Sequence, residues 1–271
     1  MISKSELLSQ LNTLCVPRDR IVLIHSSLRA VGEIEGGAST LLDALVEHIT
    51  SSGGLCCFPT HTWHLIGADA PTLDLTKNET CVGTLTRIAL EDGRGVRTLN
   101  PTHSMVVFGA PDRVAAFVAG EETQTTHTSP DGCYGKLYAE DGYVLLLGVT
   151  HKSNTYLHCV EEMLGVDGRL TKEPIRVSVK HPSGEVEHRQ VYTFDEKKNG
   201  DVSLRFPKFE PAFRAHGCIR DGLIGRAPTM LCSARGMKAV MEQIYQWAHG
   251  RELLGDDAPL DPKLYEKEET T

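Results

Sequence analysis

No apolar run in these 271 residues approaches the ~20 needed to cross a bilayer as a helix, and the opening stretch 1–14 is polar and amphipathic, unlike a secretory leader. The chain is accordingly expected to be soluble and cytoplasmic. Cys-x-x-Cys is absent, and the only close pair among the eight cysteines is the adjacent Cys56-Cys57. That excludes a zinc knuckle or a disulfide framework and leaves most cysteines to serve as small buried hydrophobes. Neither G-x-x-x-x-G-K-[ST] nor G-x-G-x-x-G occurs, so nothing supports an NTPase or a dinucleotide reductase, and H-E-x-x-H is missing as well. Positive charge is outnumbered, with Lys+Arg 28 against Asp+Glu 36 and a net charge of −8. Such a field repels phosphate backbones, which excludes nucleic acid as a partner and makes a polycation a natural ligand.

What is present reads as an α/β protein. Ser3-Lys4-Ser5-Glu6 has capping-box spacing, and Leu7, Leu8, Leu11 and Leu14 follow at helical intervals. A buried strand is expected at "RIVLIH", Arg20 to His25, then a helix from Gly36-Gly37-Ala38-Ser39 to about Ile49, then the strand "LCCFP". "SMVVFGA" and "YVLLLGV" have the near-continuous apolar character of central strands, each ending in glycine. Further helices are expected at about 82–91, 113–119, 154–164 and 233–249. From Ile175 the pattern changes to apolar-polar alternation around "PSGE", which predicts an antiparallel hairpin with one wet face. The expectation is a layered mixed sheet flanked by helices, one domain over 1–254, and a loosely held tail over 255–271.

Four places carry candidate chemistry. At His25-Ser26-Ser27-Leu28-Arg29 a strand stops among hydroxyls and free N–H groups, where an anion can dock, although helix capping accounts for the serines equally well. His61-Thr62-Trp63-His64 follows "LCCFP"; its histidines invite a metal reading, but a metal site needs three or four convergent ligands, and Trp63 fits a pocket wall. Asn100-Pro101-Thr102-His103-Ser104-Met105 is extended backbone that either pairs with an amide-rich ligand arm or forms a capped turn. The fourth is "NTYLHCVEE", Asn154 to Glu162. On a wheel of ~100° per residue His158, Glu161 and Glu162 lie at about 300°, 240° and 340° from Thr155, opposite Leu157, Val160 and Leu164. A carboxylate three or four residues on can orient an imidazole as a general base, and a solvated helix face would give the same wheel.

Taken in order, "VLIHSSLRAVGEIEGGASTLLDAL", "FPTHTW", "NPTHSMVVFG", "SPDGCYGKLYAEDGYVLLLGVTHKSNTYLHCVEE" and "DGLIGRAPTMLCSAR" resemble the aminoglycoside 3-N-acetyltransferases of the antibiotic acetyltransferase family. The likeness runs from about Ile2 to Tyr245. It implies that family's α/β fold, distinct from the GNAT acetyltransferases, and acetyl transfer from acetyl-coenzyme A, without a metal, to an amine of an aminoglycoside antibiotic. That amine is typically the 3-amino group of deoxystreptamine, and the reaction confers resistance. By resemblance His158 is the general base, Glu161 the carboxylate that holds it and Thr155 a hydroxyl near the thioester. His25, Ser27, Leu28 and Arg29 belong to the coenzyme loop; Thr102, His103, Ser104 and Met105 lie along the pantetheine arm; Trp63 and Glu162 belong to the acceptor side. Asn100 departs from the His-Pro of many relatives, and the segment between Trp63 and Gly83 is short, so an imidazole role is lost at the first and acceptor range is altered at the second. The rival readings are the same chemistry on another small amine, a metal-dependent hydrolase and a non-catalytic binder.

Overall fold

The computed structural model describes residues 1–67, 70–253 and 255–266. Its main sheet has seven strands. β1 (Ile21–Ser26) lies between β2 (Leu55–Pro59) and β6 (Tyr143–Leu147), parallel to both. Outside β2 the sheet continues antiparallel through β5 (Met105–Phe108) to β4 (Val96–Arg97), and outside β6 through β10 (Ala227–Ser233) to β9 (Ile219–Ile224). A smaller sheet joins β3 (Thr72–Asp74), parallel, to the hairpin of β7 (Ile175–Lys180) and β8 (Val186–Val191).

Because side chains alternate along a strand, the apolar runs feed two cores at once. Ile21, Leu23, Leu55, Cys57, Val144 and Leu146 face one side, with α5 (Pro111–Val118), α6 (Cys133–Ala139), α7 (Tyr156–Met163), α9 (Glu210–Ala215) and α10 (Ala234–Ala248). Val22, Ile24, Cys56, Phe58, Leu145 and Leu147 face the other, with α1 (Lys4–Thr13), α3 (Ala38–Thr50) and α4 (Thr84–Glu91). The short α2 (Leu28–Val31) and α8 (Glu196–Asn199) complete the α-helices among the described residues. The Ser3–Glu6 capping box forms as its spacing predicts. No helix among the described residues is long and apolar enough to cross a membrane.

The expected strands and long helices are present, with ends displaced by one or two residues, and the mixed sheet flanked by helices is the fold read from the sequence. Three expectations change. The "PSGE" hairpin forms, but β7 also takes β3 as a parallel neighbour, so it belongs to a sheet drawn from two distant stretches. A second hairpin, β9–β10, goes unpredicted because Pro228 and the glycines of "DGLIGRAP" hide a strand whose outer edge is polar. The described part of the tail, 255–266, packs on the domain: Leu260 and Tyr265 are buried in the α10-side core, and the Tyr265 carbonyl lies 2.6 Å from Nε2 of His216. Residues 267–271 of the expected tail lie outside the described residues.

From β1 the chain goes to β2 on one side and later to β6 on the other, so the carboxyl ends of the three parallel strands open onto one crevice. Gly148, which ends β6, makes that crevice possible. Its φ is +69°, and a Cβ there would meet the Ala30 Cβ at 2.5 Å. Left-handed backbone and overpacking together predict that Gly148→Ala costs about 2–4 kcal/mol; urea unfolding of the variant checks this, with an unchanged midpoint as the contrary result.

Candidate active site

The crevice holds a cavity of ≈ 830 Å³, within the range of small-molecule sites. His25 and Ser26 reach it from the end of β1, and Pro59 and His61 from β2 and just beyond. Thr155 and His158 reach it from α7, and Phe194, Glu196 and Asp201 from the stretch after β8. Six imidazoles and two aromatic rings, Trp63 and Phe194, are in the lining. Ring centroids of His61 and His103 lie 4.5 Å apart, as do those of His103 and His127, and the Phe194 ring lies 4.5 Å from His158 and 4.6 Å from His127. Burial holds these imidazoles neutral: the pKa of His25 and His127 falls to about 3, and those of His61, His103 and His158 lie well below the ordinary value.

α7 is not a solvated helix. Tyr156 through Val160 and Glu161 are buried, so the polar face read from the wheel turns inward to the cavity and its walls. Nδ1 of His158 lies 3.4 Å from Oε2 of Glu161. Glu162 does not line the cavity. Its two oxygens accept hydroxyl hydrogens from Thr126 at 2.6 Å and Thr128 at 2.5 Å, which fastens the 126–128 loop to α7 and corrects its expected place on the acceptor side.

Sequence reasoning missed Arg169. Its Nε donates to Oε2 of Glu161, its Nη2 to Nδ1 of His158, and its guanidinium carbon lies 3.9 Å from the centre of the Phe194 ring. Glu161 is fully buried, and burial pushes its carboxyl up to about 7 against the downward pull of Arg169. Nothing around "GVDGRL" signals this role, because an arginine in a glycine-rich loop reads as surface.

Trp63 lines the cavity, half exposed, as a wall residue would. Of the expected coenzyme loop, His25 lines it and its buried Nε2 has no hydrogen-bond partner among the described residues, whereas Ser27, Leu28 and Arg29 are not part of the lining. The 102–105 stretch is not an open edge. Thr60 and Thr62 donate their backbone N–H to Ser104 O and Thr102 O, and Oδ1 of Asn100 accepts the N–H of Thr102 and His103. Thr102, Ser104 and Met105 are therefore internal, and only His103 of the four reaches the cavity. Asn100 also donates from Nδ2 to the carbonyls of Thr126 and His127, a two-donor role that no single imidazole fills. His61 faces the Tyr134 hydroxyl at 2.9 Å, and among the described residues no group of three or more His, Cys, Asp or Glu is arranged to hold a metal ion. The lining is also less acidic than a cleft for polycations would be: its described carboxylates, Glu196 and Asp201, are matched by Lys152 and Arg169.

Comparison with known proteins gives these positions a context. The aminoglycoside 3-N-acetyltransferase family model matches residues 23–246. Aminoglycoside N(3)-acetyltransferase III of Serratia marcescens is 28% identical over 242 residues, covering 79% of this chain and 86% of that one. Two solved structures superpose with a TM-score of 0.76 at 23% identity. One is AAC-IIIb as a binary complex with CoASH, covering 92% of this chain and 97% of that one. The other is a variant of AAC(3)-IVa in complex with a gentamicin, covering 91% and 89%.

The burial of so many imidazoles generates two predictions. Seven histidines, at positions 25, 48, 61, 103, 127, 151 and 158, have pKa values lowered chiefly by burial. The unfolded chain protonates them near pH ~6.5 and the folded chain does not, so stability falls as pH drops below that point. The slope is about 1.4 kcal/mol per unit for each histidine that titrates only when unfolded. Glu161, held up at about 7, opposes this as a single group. The urea midpoint should drop between pH 7 and 5; a level or rising midpoint would mean the cluster is charged in the folded protein. Second, His25→Leu removes a buried nitrogen with no partner among the described residues, so its melting temperature should hold or rise; a clear fall would mean that this nitrogen is paired in the folded protein.

Proposed function

Because the chain belongs to the aminoglycoside 3-N-acetyltransferase family, we propose that it moves an acetyl group from acetyl-coenzyme A directly to an amine of an aminoglycoside, with His158 as general base, and so confers resistance. The observation that carries this reading is the neutral His158 on the cavity wall, with the buried carboxylate of Glu161 on its Nδ1 side and the Thr155 side chain beside it in the lining.

The chemistry needs a base because an ammonium is not a nucleophile. The ammonium gives up one proton to solvent to expose its lone pair, and as that lone pair attacks the thioester carbonyl, Nε2 of His158 takes a second proton from the nitrogen. The tetrahedral oxyanion that forms needs donors, a role open to the Thr155 hydroxyl. As the carbon–sulfur bond breaks, the thiolate leaves and recovers the proton from the imidazolium, so no acyl-enzyme is formed. Coenzyme A is assigned to His25 and the acceptor to Trp63, with the carboxylates of Glu196 and Asp201 in the same lining taking its ammonium groups.

The charge balance of the lining favours one further reading, the same transfer to a small amine with fewer charges. Initial rates across a panel running from simple monoamines to kanamycin-like and gentamicin-like drugs separate the two. His158→Ala should lower thiol release by at least ~10²-fold with every acceptor; near-normal turnover would remove His158 as the base. Asp201→Asn should raise KM several-fold, by about 1 kcal/mol for a partly exposed charge pair, and leave kcat close to wild type. Mass spectrometry of enzyme mixed with acetyl-coenzyme A alone should find no added acetyl group.

A further inference from the structure

A guanidinium carries only donors. Where Nη2 of Arg169 donates to Nδ1 of His158, that ring nitrogen must present its lone pair, and the hydrogen of the neutral imidazole must therefore be on Nε2. This is the reverse of what a carboxylate-backed base requires. Such a base has Nδ1–H turned to the carboxylate and an open lone pair on Nε2. The spacing agrees with the donor count: Nδ1 is 3.4 Å from Oε2 of Glu161, against the ~2.7–2.9 Å of a charge-assisted bond, while Arg169 Nε occupies that same oxygen.

We infer that Arg169 is a positioning residue that selects the tautomer of His158. In the unliganded protein it holds the lone pair on Nδ1, and transfer requires its Nη2 to leave the ring so that Nδ1–H can turn to Glu161. The inference rests on the reading of His158 as the base. The change is a tautomer exchange: Nε2 gives its proton to cavity water and Nδ1 takes one back, with no net gain or loss.

The surroundings suit such a move. Arg169 lines the cavity, so an oxygen brought in by a ligand can attract Nη2 away from the ring. Phe194 lies under the guanidinium, and its face attracts the cation without fixing a direction. Nε can stay on Glu161 while the far end of the fork turns, which keeps the buried carboxylate paired throughout. The groups facing His158 are Glu161 on its own helix, Arg169 on the next loop, and Phe194, Phe206 and Asp201 across from it. The remaining histidines of the cluster, His61, His103 and His127, are neutral. Among these, Arg169 is the donor on Nδ1.

Nitrogen-15 NMR of protein labelled at histidine reads the two ring nitrogens directly, with His158 assigned by its loss in His158→Gln. In the free protein His158 should carry its hydrogen on Nε2. In wild type saturated with coenzyme A and an aminoglycoside together, the hydrogen should be on Nδ1. A free wild-type ring already protonated on Nδ1 would overturn the inference, as would a ring still protonated on Nε2 in the ternary complex; neither result depends on the folding of a variant. Failure of the underlying reading looks different. It is His158→Gln turning over at the wild-type rate, whichever tautomer the ring adopts.

Discussion

One fully buried carboxylate organises the site. Glu161 has no exposed surface, and an isolated charge in such a place is too costly to persist, so the chain must bring a cation to it. Arg169, eight residues on, meets that need, and its own burial then requires a flat ring to cover it, which Phe194 supplies from beyond β8. Phe194 in turn packs on His158 and His127. The loop after α7, the exit of the hairpin and the histidine-lined wall are thus fixed by the requirement of a single acid group. Oε1 of Glu161 has no partner among the described residues, and burial pushes the carboxyl up to about 7.

Around that centre the topology does the gathering. The parallel trio β2, β1 and β6 brings His61, His25 and the approach to α7 to one edge, and antiparallel β5, entering from the same edge, adds His103. The outcome is a lining of uncharged nitrogens, which can bond to carbonyls, amides or amines without imposing a strong field of either sign. Charge in the lining is confined, among the described residues, to Lys152, Arg169, Glu196 and Asp201.

The fold was largely legible in the sequence, and the reason is local. β1, β2, β5 and β6 are continuous apolar runs because both faces are covered, α1, α3 and α10 have repeating apolar faces, and serine caps mark the starts of α1 and α10. α6 stayed hidden because "CYGKLYA" carries a glycine inside and follows "SPDG". β10 was masked by Pro228, although its register against β6 runs from Thr229 to Ser233. At the site the pairing of His158 with Glu161 could be read from spacing and resemblance, but the wheel placed Glu162 nearer. It missed because the two threonines that claim Glu162 lie about 35 residues upstream, where no helical periodicity reaches. Arg169, Phe194 and Asp201 share that difficulty: each comes to the cavity from a loop or a strand end, where side-chain direction is set by tertiary contacts alone.

The position of β3 has a consequence for the order in which the protein takes shape during synthesis. Thr72–Asp74 leaves the ribosome early, yet the strand it pairs with is Ser178–Lys180, and β1 likewise waits for Tyr143–Leu147 to cover its second edge. The growing chain therefore carries two unpaired β edges for much of its elongation, one of them strongly apolar, in the stage where chains are most prone to associate wrongly. His158 and Arg169 emerge only after the three parallel strands are complete, so the wall that carries them is laid onto those strands, and β10 and β9 are added afterwards.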